Sequence, residues 1–250
     1  MPPSSRIKRL ILELGGKSPN IVFADANLED AIPSSVWAIY YSAGQSCEAR
    51  SRVLVERSIY DDFVSRFAEA ASSLKVGDPL EAETQVGSLI SEEHRERVHG
   101  YVEAGREEGA EVVTGGEAPG GKGAFYPPTV LAGVGNEMTV AQEEIFGPVV
   151  TVIPFEDEKD ALRIANETKY GLFATVWTGD PARGHRLASR IKAGEVGINM
   201  PYTAFPGIPF GGYKQSGFGR ELGLETVELY LETKSVLVST GAKPYNPFGL

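Results

Sequence analysis

Short apolar segments rich in β-branched residues alternate along this chain with segments that have the spacing of amphipathic helices. Residues 52–56 (RVLVE) are typical of a strand, and apolar side chains at i, i+3, i+4 and i+7 spacing across 60–74 predict a helix after it. Further strands are predicted at 173–177 and at 148–155, which is nearly all apolar, as in a strand covered on both faces. Because neighbouring parallel strands need crossover connections, the alternation predicts an α/β fold: an open, doubly wound, mostly parallel sheet flanked by helices.

Capping residues and the end of the chain predict the remaining elements. Ser91 is expected to cap a charged helix, and Asp180, followed by proline, is expected to cap another. Strands are also predicted at 111–113 and 194–199. The last apolar run, 235–239 (SVLVS), has no helix after it. A terminal strand of this kind often pairs outside its own sheet, so we expect a C-terminal strand outside the main sheet that contacts another subunit.

The charge of the chain restricts its partners. With 34 acidic and 24 basic side chains in 250 residues, the formal net charge is −10. Such a surface repels phosphate backbones and anionic lipid headgroups, so neither nucleic acid nor a membrane is an expected partner. No window approaches the roughly 18 uninterrupted apolar residues that a transmembrane helix needs, and no convincing signal peptide is present. Because Cys47 is the only cysteine, an internal disulfide is impossible and the cytoplasm is the expected location.

Several common site motifs are absent from the sequence. The stretch 116–123 (GEAPGGKG) is similar to a phosphate-binding loop, but Gly123 stands where a hydroxyl side chain must follow the lysine, which favours a surface loop. The G-x-G-x-x-G fingerprint is missing, so a dinucleotide site would have to be built in another way. The three histidines have no paired i, i+4 spacing, and no metal site is expected. With these sites excluded, Cys47 and the carboxylates are the remaining candidate catalytic residues.

Cys47 taken alone has two interpretations. Most free cysteines are small buried hydrophobes. Against this, Cys47 follows the end of an apolar helix, where a side chain can face a cleft, and the basic residues Arg50 and Arg52 come soon after it. Nearby cations favour the thiolate, so an active-site thiol here would be expected to titrate below about 8.5. The local sequence leaves both interpretations open.

Four blocks of sequence taken together are more specific. They are LELGGKSPNIVF with Glu13, GQSC with Cys47, QEEIFGPV at 142–149 and PFGGYKQSGFGRELG at 209–223. In order and spacing these resemble the signature blocks of the aldehyde dehydrogenase superfamily, with Glu13 lying 34 positions before Cys47 and Glu144 lying 97 positions after it. The segment GQSCEARSR also resembles the branch of that superfamily that acts on betaine aldehyde and related amino aldehydes.

The resemblance implies a role for each matching residue. Cys47 falls on the nucleophile, which attacks a small-molecule aldehyde to form a thiohemiacetal; hydride then leaves to NAD or NADP, and a thioester remains. Glu13 falls on the general base that activates water to hydrolyse this thioester. The backbone N–H of Cys47 would supply half of an oxyanion site.

Other matching residues are implied to bind cofactor or substrate. Glu144 falls on the carboxylate that holds the nicotinamide ribose, although Glu143 and Glu144 could also be simply an exposed acidic pair. Phe146 falls on the aromatic ring beside the nicotinamide. Phe210 lies where the family lines its aldehyde tunnel, although a core phenylalanine fits almost as well. Gly197 stands where the family usually has tryptophan, which would reshape the pocket near Asn199.

The resemblance covers nearly all of this chain but only about half of a family member. It implies a truncated lead-in at 1–12, a catalytic domain at 13–230, and an oligomerisation strand and tail at 231–250, hence a homo-oligomer. Because the cofactor-binding half lies ahead of the first block, we expect the chain alone to bind cofactor weakly and to be impaired or inactive. Two alternatives stay open: a cofactor-independent thiol esterase and a non-catalytic oligomerising fragment.

Overall fold

A single large sheet dominates the computed structural model, which describes residues 7–120, 122–200, 205–241 and 248–249. Within these residues the strands are β1 (Leu12–Glu13), β2 (Pro19–Val22), β3 (Arg52–Glu56), β4 (Glu111–Thr114), β5 (Thr129–Ala132), β6 (Val149–Phe155), β7 (Phe173–Trp177), β8 (Glu195–Ile198) and β9 (Gly217–Phe218). Seven of them form the main sheet in the order β4-β5-β6-β3-β2-β7-β8. All neighbours in it are parallel except β4 and β5, which are antiparallel.

Helices cover the sheet, as the alternating pattern predicted. They are α1 (Leu28–Tyr40), α2 (Tyr60–Ser72), α3 (Glu92–Glu107), α4 (Thr139–Gln142), α5 (Glu158–Asn166), α6 (Pro181–Ala188) and α7 (Glu225–Leu229). Two predicted caps are confirmed, because the side chain of Ser91 accepts a hydrogen bond from the His94 N–H and that of Asp180 accepts one from the Ala182 N–H. The predicted open, mostly parallel sheet flanked by helices is therefore confirmed.

The core lies between the central strands and their helices. Every residue of β2, β5 and β7 is buried, as expected of strands covered on both faces. Because β6, β3, β2 and β7 run parallel, the loops that precede them meet at one end of the sheet, which we call the amino edge. Among the described residues no helix is both long and apolar enough to cross a membrane.

A second sheet of two strands lies at the amino edge. β1 pairs antiparallel with β9, which places Glu13 opposite Gly217. Residues 231–239 follow outside the main sheet and have no secondary structure in the single chain. Their apolar side chains Val236, Leu237 and Val238 are 77%, 96% and 78% exposed. The segment 235–239, predicted as a terminal strand, lies outside the main sheet as expected, but it is not a strand in the single chain and has no paired neighbour within the described residues.

Candidate active site

Three loops bring Glu13, Cys47 and Glu144 together at the amino edge. Glu13 lies ahead of β2, Cys47 ahead of β3 and Glu144 ahead of β6, and these three strands are adjacent in the sheet. The Glu13 carboxylate and the Cys47 thiol lie close enough for each to shift the pKa of the other. Oε1 of Glu144 accepts a hydrogen bond of 3.0 Å from the backbone N–H of Gly16. Residues distant in the sequence therefore share one half-buried site.

The Gly-Gly turn between Glu13 and β2 makes this approach possible. A Cβ atom on Gly16 would lie 2.2 Å from the backbone oxygen of Cys47, and one on Gly15 would lie 2.0 Å from Oε2 of Glu144. Both distances are far below van der Waals contact. Only glycine at these two positions lets the Cys47 and Glu144 loops pack against the segment that carries Glu13.

The loop before Cys47 has an unusual backbone. After α1 ends at Tyr40, Ser42, Ala43 and Gly44 have positive φ values of 51°, 55° and 71°. Positive φ in non-glycine residues costs free energy and persists where the surrounding structure enforces it, often at functional sites. A Cβ on Gly44 would lie 2.1 Å from the oxygen of Gly147, so this loop packs closely against the Glu144–Gly147 loop.

The electrostatics of Cys47 differ from the sequence-based expectation. Burial, followed by the neighbouring Glu13 carboxylate, raises the pKa of the thiol to about 12. The prediction that Arg50 and Arg52 act directly on the thiol is wrong, because Arg50 pairs with Glu48 and Arg52 donates to the backbone oxygens of Ile164 and Ala165. In this chain the thiol is protonated at neutral pH, and its proton can pass to Glu13 when a substrate is attacked.

The Glu13 carboxyl is suited to holding a proton. Burial, together with the charge of Glu221, raises its pKa, while the neighbouring Cys47 thiol lowers it. Its Oε1 is buried and has no hydrogen-bond partner within the described part of the chain. Buried polar atoms without a partner are rare in folded proteins, so this oxygen is a further sign that Glu13 belongs to a functional site.

Glu144 lies beside a buried lysine that the sequence did not single out. Burial raises the pKa of Glu144, while the Gly16 N–H and the Lys17 ammonium lower it. Lys17 is 1% exposed, and burial, followed by the charge of Arg52, lowers its pKa to about 7. Its position directly after the Gly-Gly turn of the first block was the one signal that could have identified it.

Phe146 projects from the same loop as Glu144. Its φ of 58° is in the left-handed region and its side chain is 39% exposed, so the ring is available for contact. Nε2 of His94 lies 2.6 Å from the backbone oxygen of Phe146, and the two rings meet edge to face. The sequence analysis did not predict this contact of His94. The spacing of histidines indicates only whether they could bind a metal together.

The two predicted pocket residues, Phe210 and Asn199, lie in different parts of the structure. Phe210 pairs through its backbone with Glu221, whose charge acts on Glu13, so Phe210 lies in the segment that borders the site. Asn199 follows β8 and exchanges two hydrogen bonds of 2.9 Å with the backbone of Thr178, which follows β7. Because β8 and β7 are parallel to β3, Asn199 lies at the opposite edge of the sheet from Cys47. The structure therefore does not bring Asn199 to the candidate site.

This geometry can be compared with that of known proteins. The model of the aldehyde dehydrogenase family matches residues 2–236. The chain belongs to the aldehyde dehydrogenase family. It is 46% identical over 249 residues to betaine aldehyde dehydrogenase of Bacillus subtilis strain 168, a match that includes 98% of this chain and 51% of that protein.

Solved structures of other family members resemble the chain closely. The crystal structure of HpcC from Thermus thermophilus matches with a TM-score of 0.93 and 47% identity, over 97% of this chain and 48% of that one. The structure of the NAD+ complex of aldehyde dehydrogenase from Bacillus cereus matches with a TM-score of 0.91 and 47% identity, over 94% and 48%. This aldehyde dehydrogenase chain thus spans about half the length of the relatives it matches.

Proposed function

We propose that this chain supplies the catalytic residues of an NAD(P)-dependent aldehyde dehydrogenase that oxidises an aldehyde to a carboxylic acid. The observation that carries the proposal is the placement of Glu13 beside Cys47 at the amino edge, where the two side chains interact although they lie 34 positions apart in the sequence. The family membership supports the same reaction class.

In the first step the sulfur of Cys47 forms a bond to the aldehyde carbon. The thiol proton passes to the Glu13 carboxylate, which lies beside it. The carbonyl oxygen then carries the developing negative charge, and the backbone N–H of Cys47 donates to it. The product is a thiohemiacetal on Cys47.

The residues present fit one end of a nicotinamide dinucleotide. Glu144 uses Oε1 for the Gly16 N–H, and because a carboxylate offers about four acceptor sites, it can also hold ribose hydroxyls. The exposed ring of Phe146 provides an apolar surface beside it. The chemistry supplied by the bound cofactor is acceptance of a hydride from the thiohemiacetal carbon, which leaves a thioester on Cys47.

Before the last step Glu13 releases the thiol proton to solvent, and as a carboxylate it then acts as the general base. It takes a proton from water, the water oxygen bonds to the acyl carbon, and the carbon–sulfur bond breaks. Glu13 then returns the proton to the sulfur. The Glu13 carboxylate is the group that lies beside the Cys47 sulfur and can take that proton. The balanced result is one aldehyde, one water and one oxidised cofactor converted to acid, reduced cofactor and a proton.

The domain assignment follows from the same proposal. Residues 13–230 form the catalytic domain, residues 1–12 lead into it, and 231–250 serve as an oligomerisation strand and tail. The exposed apolar run at 236–238 supports a homo-oligomer. The chain matches about half of each relative, so we expect little turnover when it is assayed alone. The single cysteine keeps the cytoplasm as the proposed location.

A fusion enzyme tests the proposal. The chain is joined to the amino-terminal half of the Bacillus subtilis betaine aldehyde dehydrogenase, to which its own sequence is 46% identical. With a panel of aldehydes and NAD or NADP, we expect the reduced cofactor to appear by its absorbance, and Cys47→Ala to abolish it. A folded fusion that reduces neither cofactor with any aldehyde would refute the proposal.

A further inference from the structure

Two charged side chains are buried directly after the proposed nucleophile. Glu48 is 5% exposed and Arg50 is 0% exposed, although both lie in a loop. Charged side chains are almost never buried to this extent unless they are paired. The reaction steps above use neither residue, so their burial beside Cys47 needs another explanation.

The Glu48 carboxylate holds the chain on both sides of Cys47. Its Oε1 accepts hydrogen bonds from the Tyr41 hydroxyl and, at 3.2 Å, from the Ser46 hydroxyl. The Tyr41 and Ser46 hydroxyls also lie 2.7 Å from each other, so the three side chains form a closed ring. Ser46 and Glu48 are the residues immediately before and after Cys47. The ring therefore fixes the backbone from which the thiol projects.

Arg50 connects this ring to the main sheet. Its Nη1 donates to Oε2 of Glu48. Its Nε lies 3.4 Å from Oγ1 of Thr175, and its guanidinium carbon lies 4.3 Å from the centre of the Phe173 ring. Phe173 and Thr175 belong to the fully buried strand β7. A continuous series of contacts thus runs from the Cys47 loop to the interior of the sheet.

Glu48 also acts on the thiol through its charge. Its carboxylate adds to burial and Glu13 in raising the pKa of Cys47. The guanidinium of Arg50 offsets that charge, since an opposite charge at hydrogen-bond distance stabilises the carboxylate and reduces its field nearby. A second carboxyl near Arg50, that of Glu195, has its pKa raised to about 7 by burial, so its charge is constant well above neutral pH.

We propose that Arg50 is a positioning residue for Cys47, which acts through Glu48: held against strand β7, its guanidinium neutralises the Glu48 carboxylate beside the thiol. The inference rests on the proposed function only for the identity of the nucleophile. Thiol reactivity can be measured without turnover, so failure of the fusion enzyme and failure of this inference are separate results.

The test is the rate at which iodoacetamide alkylates Cys47 in the full chain between pH 8 and 10, measured by mass spectrometry. At pH 9 we expect Arg50→Met to slow alkylation about tenfold, equivalent to a rise of one unit in the thiol pKa, because the charge of Glu48 is then uncompensated. The double variant Glu48→Gln/Arg50→Met is expected to recover at least the wild-type rate. Arg50→Lys keeps the charge and is expected to give an intermediate rate.

Arg52 provides a matched control. It is an equally buried guanidinium, but it donates to the Ile164 and Ala165 oxygens at 2.9 and 3.0 Å rather than to a neighbour of Cys47. Arg52→Met should lower the unfolding temperature and leave alkylation unchanged. The proposal is overturned if Arg50→Met alkylates at or above the wild-type rate, or if the double variant is as slow. If Arg50→Met does not fold, the alkylation rates are compared in two other pairs. Arg50→Lys is compared with the wild type, and the double variant is compared with Glu48→Gln.

Discussion

At the scale of single residues, the candidate site is governed by carboxylates. Glu13 and Glu48 both raise the pKa of the Cys47 thiol, in addition to the larger effect of burial. A protonated thiol beside a carboxylate with a raised pKa is a pair that can exchange one proton. Glu13 therefore suppresses the resting thiolate, and in the proposed reaction it would receive the thiol proton during attack.

This arrangement predicts that loss of the Glu13 charge activates the thiol. Glu13→Gln removes the charge that raises the pKa of Cys47, so the thiolate fraction at pH 8 increases. We expect alkylation by iodoacetamide to become at least about threefold faster, or tenfold for each unit by which the pKa falls. Glu221→Gln is the control, because Glu221 acts on Glu13 rather than on the thiol. An unchanged or slower rate in Glu13→Gln would contradict this electrostatic assignment.

Glu195 should make folding stability depend on pH. Burial raises its folded-state pKa to about 7 from 4.5, so its contribution to stability is complete below pH 4.5 and is lost as the pH rises through 7. Glu195→Gln should therefore raise the unfolding temperature at pH 8.5, by about 2–4 °C for each kcal/mol gained, and have little effect at pH 5. Calorimetry at both pH values measures this difference. Equal shifts at both pH values would show that charge burial is not the cause.

At the scale of secondary-structure elements, the site depends on close packing of loops before parallel strands. Gly44 has a φ of 71°, and a Cβ there would lie 2.1 Å from the oxygen of Gly147. The Cys47 and Phe146 loops can approach each other only because this side chain is absent. The contact fixes the nucleophile relative to the proposed nicotinamide contact.

Substitution of Gly44 by alanine should therefore be costly. Left-handed backbone costs an L-residue roughly 1–2 kcal/mol, and the clash adds to it, so we expect Gly44→Ala to lower the unfolding temperature by at least about 4 °C. Gly100→Ala is the matched control: Gly100 lies within α3, and a Cβ there would meet nothing within 4 Å. That change should raise stability by about 0.5–1 kcal/mol. Similar effects of the two variants in calorimetry would disprove the packing interpretation.

The sequence predicted the bounds of some strands correctly and missed other strands. β3 and β7 have the bounds that their apolar runs predicted, because burial on both faces leaves a clear pattern. The two-residue strands β1 and β9 were not predicted, since such short segments have no periodicity and depend on a partner about 200 positions away. In the site, the blocks predicted that Glu13 and Cys47 act together, and the structure places them side by side. The pairing of Glu48 with Arg50 depends on loop side-chain directions, which no sequence pattern encodes.

At the scale of the whole molecule, the exposed apolar tail is the main unpartnered feature among the described residues. Leu237 is 96% exposed between two valines that are also largely exposed. Exposed apolar runs of this kind are typical of surfaces that pair with another chain. The proposed homo-oligomer would bury them against a second copy.

Light scattering after size-exclusion chromatography tests this oligomer. Leu237→Asp places a charge in the proposed interface and should shift the protein from an oligomer to a monomer. Leu80→Asp makes the same change at a leucine that is 91% exposed outside the tail, and should leave the oligomer intact. A monomeric wild-type chain, or equal dissociation in both variants, would contradict the role of the tail.

The role of Cys47 as the nucleophile is tested most directly by trapping the acyl intermediate in the fusion enzyme. In Glu13→Gln the thiol proton has no carboxylate to receive it, but the larger thiolate fraction can still attack the aldehyde and hydride can still leave. Water, in contrast, lacks its base, which typically contributes 10²–10⁴-fold. After mixing with aldehyde and NAD, mass spectrometry should find the acyl group on the peptide that contains Cys47. Reduced cofactor formed without that adduct, or an acyl group on another residue, would contradict the assignment of Cys47 and Glu13.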